Sequence, residues 1–169
     1  TEGVSALTTI ELHLISDDPS VNFDDVVGKL ATFTIDCGDD RKRHFHGVIS
    51  RFAQGDASPH HVEYYAELVP KVWLLTLRHQ TRIFQNKSVR DIVQKVLTDA
   101  GLSGADFKFD LTGSYSPREY CVQYRESDFN FISRLLEDEG IFYFFKHDET
   151  NSVFTMGDNS GAHPECAPD

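Results

Sequence analysis

Residues 118–145 read REYCVQYRESDFNFISRLLEDEGIFYFF. Three hydrophobic periods follow one another in this stretch. From Tyr120 to Arg125 the chain alternates: Tyr120, Val122 and Tyr124 share one strand face, with Cys121, Gln123 and Arg125 on the other. At Ser127 the period lengthens. Ser127 is placed to N-cap a helix, Asp128 complements the positive end of its dipole, and Phe129, Ile132, Leu135 and Leu136 form its apolar side until Gly140 ends it. The spacing predicts a helix over about 127–139. Ile141 to Phe145 are then five apolar residues in a row, a strand greasy on both faces. One face can take the helix; the other requires a second sheet or another chain.

Upstream, a second helix is predicted over about 88–100: Val89, Ile92, Val93, Val96 and Leu97 make one stripe, Ser88 with Asp91 starts it, and Gly101 sits where a left-handed C-cap is wanted. The first half reads as β. Ile10, Leu12 and Leu14 alternate with polar residues, and Asp17-Asp18-Pro19-Ser20 makes a turn. Leu30 to Ile35 is a second strand, closed by the hairpin signal Cys37-Gly38-Asp39-Asp40. Phe45 to Phe52 is a third, with a bulge expected at Gly47, and Gln54 to Pro59 is a loop. Val62 to Leu68 and Val72 to Leu77 follow as strands, with Pro70 at a bend or an exposed edge. Phe107 to Leu111 and Val153 to Met156 complete the set, with a loop at Thr112 to Pro117. The fold class expected is α+β, mainly β: a small barrel-like or sandwich-like subdomain over 1–86, then a mixed α/β subdomain with two helices over 87–169.

The 169 residues are 40% hydrophobic, with 13 Phe, which is enough for a packed core. The formal net charge of −11 repels phosphate backbones and argues against a nucleic-acid partner, and the run Arg41-Lys42-Arg43 beside Asp39-Asp40 reads as a solvated turn. Three widely spaced cysteines, Cys37, Cys121 and Cys166, read as free thiols of a reducing compartment. No apolar run approaches the length of a membrane span and no secretory leader pattern is present. Both ends are expected to continue into a longer polypeptide.

A search for chemistry returns little. His44 and His46 lie two apart on one strand face, but without a third ligand nearby they read as a polar outer face, and His60-His61 as a loop pair. Nucleophile-elbow, phosphate-loop and HExxH patterns are absent. Glu137, Asp138 and Glu139 could do acid–base work only in a cleft that separates their pKa values, and three in the last turn of a helix read as its wet side. They also oppose the helix dipole. No catalytic residue, cofactor or metal is therefore expected. The aromatic and apolar residues Trp73, Tyr120, Tyr124, Phe129, Ile132, Leu135, Leu136, Ile141, Phe142, Phe144 and Phe145 are the candidates for core or protein–protein interface. A hydrolase built on Glu137–Glu139 and a sugar- or peptide-binding module built on exposed aromatics are the weaker alternatives.

The block Arg118 to Phe145 closely resembles the signature of the VgrG proteins, the spike proteins of bacterial type VI secretion systems, related to phage tail hubs. The resemblance continues through Phe45 to Ile49, Leu68 to Pro70, Trp73 to Arg78, Arg82 to Gln85, Asp158 to Ser160 and Ala162-His163. It implies part of a tail-hub module that stops before the second barrel, the OB-fold and the spike. It also implies a homotrimer whose hub ring meets the Hcp tube and baseplate proteins. Effectors would travel through regions outside these residues. The resemblance further implies assembly in the bacterial cytoplasm, followed by secretion or delivery into a target cell. A bacteriophage or prophage tail hub is the alternative.

Overall fold

A computed structural model describes residues 2–162. The chain runs β1 (Ile10–Ser16), β2 (Leu30–Asp36), β3 (Lys42–Ala57), β4 (Val62–Val69), β5 (His79–Lys87), α1 (Val89–Asp99), β6 (Phe107–Asp110), β7 (Arg118–Ser127), α2 (Asp128–Asp138), β8 (Phe142–His147) and β9 (Ser152–Gly157). It is mainly β with two α-helices at the expected places. His163 and Cys166 lie outside the described residues. Cys37 and Cys121 are free thiols, the first exposed and the second buried.

The described residues form two compact units, chiefly Leu7–Lys71 with Lys146–Ser152, and Val72–Phe145 with the described residues from Val153 on. The changeover falls at Lys71/Val72 and not at residue 86, because β5 belongs with β7 in an antiparallel ribbon.

In the first unit the strands form one antiparallel sheet in the order β1-β4-β3-β2. The sheet is open, with β1 and β2 at its edges, so the expected barrel is not closed. β3 is long enough to serve two partners: it pairs with β2 over Lys42–Val48 and with β4 from Val48 onward. Phe45, Ile49, Ala66 and Leu68 make the core of this sheet, with Ile10, Leu12, Val26, Ala31, Phe33 and Phe52 packed against it. Gly47 is not a bulge. It pairs in register with Ala31, and a Cβ there would lie 2.2 Å from the Val69 carbonyl oxygen, so close backbone approach requires the glycine. The register shifts fall instead between Ile49 and Arg51 and between Gln54 and Ala57. The second carries β3 through Ala57, where a loop was expected. The chain turns only at Ser58–His61, where the Ser58 N–H donates to the His61 carbonyl at 2.8 Å.

In the second unit the expected strand over Val72–Leu77 is a 3₁₀-helix, Lys71–Leu77. Pro70 offers no N–H to extend the β4 ladder, and Val72 and Leu75, three apart, both turn inward as a 3₁₀ turn requires. The β5–β7 ribbon then carries α1 and α2 on one side. Ser88 and Ser127 cap these helices by accepting the Asp91 and Asn130 N–H groups at 3.2 and 3.1 Å. Gly101 and Gly140 follow them at φ +86° and +69°. The apolar stripes of both helices are buried, and Phe131 of α2 stacks on Phe84 of β5 with centroids 5.6 Å apart.

The third sheet has the order β6-β9-β8, with β6 parallel to β9. It answers the question set by residues 141–145. Ile141, Tyr143, Phe144 and Phe145 are all buried within this one chain, so a second chain is not needed to cover the strand. Tyr143 and Phe145 pack on Phe154 of β9 at 5.0 and 5.6 Å, while Phe142 and Phe144 stack on each other at 6.3 Å.

Candidate assembly interface

The β5–β7 ribbon has two unlike faces. Ile83 stands opposite Val122 and Gln85 opposite Tyr120 in the antiparallel register. Alternation therefore sends Phe84, Cys121 and Gln123 inward, where all three are buried. The outer face carries Ile83, Tyr120, Val122 and Tyr124 at 58%, 55%, 37% and 63% exposure. Four large apolar or aromatic side chains on two adjacent strands, open to water, are the composition of a protein–protein contact. Of the sequence candidates, Tyr120 and Tyr124 thus lie on a surface. Phe129, Ile132, Leu135, Leu136, Ile141, Phe144 and Phe145 are buried, and Trp73 and Phe142 are half-buried. Ile83 and Val122 were not singled out from sequence, although alternation with Tyr120 and Tyr124 marked Val122.

A bulge sets the end of this face. Gln80 pairs with Glu126 and Arg82 with Gln123, so Thr81 faces both Tyr124 and Arg125. Arg125 takes φ +50°, is exposed with Tyr124, and lays its guanidinium 5.2 Å from the Tyr124 ring centre. It does not point inward with Cys121 and Gln123 as strict alternation implies. Beyond the bulge Ser127 is buried and caps α2.

Behind the ribbon lies a polar network that sequence reading missed. The Asp128 side chain is fully buried. Its Oδ1 accepts from Arg82 Nη2 at 2.6 Å and from Gln123 Nε2 at 2.9 Å, and Arg78 Nε lies 3.3 Å from Oδ2. Arg82 Nε also donates to Gln123 Oε1 at 2.9 Å, and its Nη1 lies 3.5 Å from Asp99 at the end of α1. The Asp128 N–H donates to the Arg78 carbonyl at 2.7 Å. A buried carboxylate at a helix N-terminus with two guanidinium partners locks the 3₁₀ exit, β5, β7 and both helices into one geometry.

The family described as phage tail baseplate hub (GPD) matches residues 1–169. The chain belongs to that family. The type VI secretion system spike proteins VgrG1b and VgrG1c of Pseudomonas aeruginosa are 43% and 40% identical to this hub chain over 90% and 96% of its length. The chain spans 20% and 22% of those two proteins, about a fifth. The actin cross-linking toxin VgrG1 of Vibrio cholerae is 35% identical over 89% of the chain, which spans 14% of it. Among solved structures, the E. coli c3393 protein aligns with a TM-score of 0.89 at 31% identity, covering 95% of this chain and 44% of its own. It is described as a component of the type VI secretion system with structural similarity to the T4 bacteriophage tail proteins gp27 and gp5. A prophage MuSo2 tail protein from Shewanella oneidensis shares the fold at a TM-score of 0.56 and 15% identity.

The remaining sequence candidates in the hub chain are tied into its framework. His44 and His46 bond through Nδ1 to Thr34 and Thr32 across the β2–β3 pair at 3.0 and 2.8 Å, and His61 bonds to Ser58 at 3.0 Å. Among the described residues, no three His, Cys, Asp or Glu side chains gather as a metal site. Arg118 explains the acidic end of α2: its guanidinium reaches Asp138 at 3.4 Å and Glu139 at 2.7 Å, which offsets their clash with the helix dipole. Glu137 borders a hollow of about 420 Å³ with Ser133 and Tyr143, and none of its lining residues is His, Lys or Cys. Asp158 of the turn after β9 gathers the loop after β6: it accepts from the Thr112 and Gly113 N–H groups at 2.9 and 2.6 Å and from the Tyr115 hydroxyl at 2.8 Å. The Thr112 N–H, then Asn159 and Gly113, hold its carboxyl well below the usual range, while burial and this bond push the Tyr115 phenol up to about 12. No helix among the described residues is long and apolar enough to cross a membrane.

Proposed function

We propose that this chain is the hub portion of a type VI secretion spike protein and that it works by assembly, without catalysis. In this reading three copies surround an axis, the hub ring caps the Hcp tube, and contraction passes force through packed subunits. Assembly takes place in the bacterial cytoplasm, and the spike then leaves the cell or enters a target. The observation that carries the reading is the outer face of the β5–β7 ribbon, where Ile83, Tyr120, Val122 and Tyr124 stand in water on a chain whose 40–43% identical relatives are named spike proteins. We assign that face to contact with a sister copy. The buried Asp128 network behind it supplies the stiffness that a load-bearing contact needs.

Light scattering of the full-length protein tests the proposal. A closed ring needs interfaces on the order of 2,000 Å², and the wild type should run as a trimer. The pair Ile83→Asp and Tyr124→Asp, both on the exposed face, should drive it to monomer without lowering the melting temperature of the hub. A wild-type monomer at high concentration overturns the assignment. The family description favours a second reading, a phage or prophage tail hub. Binding of purified Hcp rings to the full-length trimer separates the two, since only the type VI reading expects it.

A further inference from the structure

The sheet of the first unit ends in two strands that complement each other. Among the described residues β1 and β2 are its edges, and each is seven residues long. Every step in the order β1-β4-β3-β2 is antiparallel, so the two edge strands run in opposite directions. A rotation about an axis along the strands therefore brings β2 of one copy beside β1 of the next in antiparallel sense.

The backbone alternation suits such a pairing. The Ile49 N–H donates to the Lys29 carbonyl at 3.0 Å, which turns the odd positions of β3 toward β2 and the even ones, through Val48, toward β4. Ala31, Phe33 and Ile35 thus direct their backbone groups to β3, while Leu30, Thr32 and Thr34 direct theirs to the open side. Carried across Val69 and β4, the same alternation leaves Glu11, His13 and Ile15 facing the open side of β1. Leu30 to Ile35 reads LATFTI, with neither the charges nor the proline that blunt an edge strand. Thr32 stays exposed although its hydroxyl donates to the Glu149 carbonyl at 2.8 Å. The large aliphatic side chains that this sheet leaves exposed are Leu14, Ile15, Leu30 and Ile35, all on these two strands.

We propose that β2 of one copy adds to β1 of the next, with Ile15 opposite Leu30, His13 opposite Thr32 and Glu11 opposite Thr34. In this register the most exposed side chain of each strand, Ile15 at 68% and Leu30 at 62%, covers the other. On the core face Leu14 meets Ala31, Leu12 meets Phe33 and Ile10 meets Ile35, so apolar residues stand against apolar ones. A slip of two residues sets Glu11 against Asp36 in one direction and Ile15 against Gly28 in the other. A slip of one residue turns the backbone groups away from each other. The pairing rests on the sister-copy reading above and assigns a second surface to it, on the first unit.

Disulfide trapping in the full-length protein, with Cys37→Ser to remove the exposed thiol near β2, tests the register. Opposite residues of such a pair lie about 5.5 Å apart at Cα, within the reach of a disulfide. Ile15→Cys and Leu30→Cys chains, co-expressed and oxidised, should give a covalent dimer whose joined peptides carry positions 15 and 30. Neither variant alone should bridge to itself, and a chain carrying both should close into a covalent trimer. A 15–15 or 30–30 bridge overturns the pairing. So does the lack of a 15–30 bridge in a protein that light scattering shows to be a trimer, and in that case the sister-copy reading stands. A monomer removes both. Hydrogen exchange of the wild-type trimer needs no substitution: the Thr32 and Thr34 amides should exchange slowly, and fast exchange at both overturns the pairing.

Discussion

Arg82 and Asp128, 46 residues apart in sequence, meet at 2.6 Å behind the β5–β7 ribbon. The carboxylate is fully buried and the guanidinium mostly so. Removing either partner strands the other away from water, which costs about 3–5 kcal/mol for a buried pair. Arg82→Ala and Asp128→Ala should each lower hub stability by that amount in urea unfolding. The double variant should lose clearly less than the sum, because the two residues share one network. Two small, additive losses would show that the network adds nothing to the fold.

The caps give a smaller, independent effect. Ser88 and Ser127 each satisfy a helix N–H and do not share a partner. Ser88→Ala and Ser127→Ala should each cost about 1 kcal/mol, and together about twice that. Chemical denaturation of the two single variants and the double checks it.

Why the α2 corner was legible and the Asp128 network was not has a physical cause. Local capping and periodicity are written in neighbouring residues, so Ser127, the α2 stripe and Gly140 fix their own element. Asp128 is satisfied by Arg78, Arg82 and Gln123, and periodicity holds no record of partners so far away. One signal was present: Asp128 lies on the stripe of Ile132, Leu135 and Leu136, so a carboxylate on an apolar helix face demands a cation. β5 was hidden for a related reason, since its inward positions are Arg82 and Phe84, and a polar inward residue breaks the alternation. Val72–Leu77 failed differently, because a short apolar run fits a strand or a 3₁₀ turn equally well and only packing decides.

Gly47 offers a test of backbone closeness. A Cβ at this position meets the Val69 carbonyl, which is held in the β4 ladder and cannot swing aside. Gly47→Ala should therefore cost about 1–3 kcal/mol, the range for overpacking, despite the better strand propensity of alanine. Thermal melting of this variant checks it, and a neutral change would mean the two strands can part there.

Burial separates two aromatic residues that sequence cannot rank. Phe131 is wholly buried against Phe84, and Tyr124 is 63% exposed. Phe131→Ala should cost about 3–5 kcal/mol. Tyr124→Ala should stay within about 0.5 kcal/mol in the isolated hub chain. Equal losses in urea unfolding would place Tyr124 in the core and remove the outer face from consideration as an interface.

Asp158 makes stability depend on acid. Its carboxyl is held below the ordinary 3.8 chiefly by the Thr112 N–H, with Asn159 and the Gly113 N–H adding to it. A depressed carboxyl stabilises the fold above the unfolded value, and that contribution fades as pH falls below about 3.8. Asp158→Asn leaves an amide whose NH₂ faces N–H donors, so the loop from Thr112 to Tyr115 loses its anchor. The variant should melt below wild type at pH 7, and the gap should narrow from pH 4 downward as the wild-type carboxylate takes its proton. Tyr115→Phe removes one donor while the backbone N–H groups remain, so it should reproduce only part of the pH 7 loss. Melting curves of the three proteins across this range decide the matter, because a gap that stays constant through pH 3 would mean the Asp158 charge does not hold the loop.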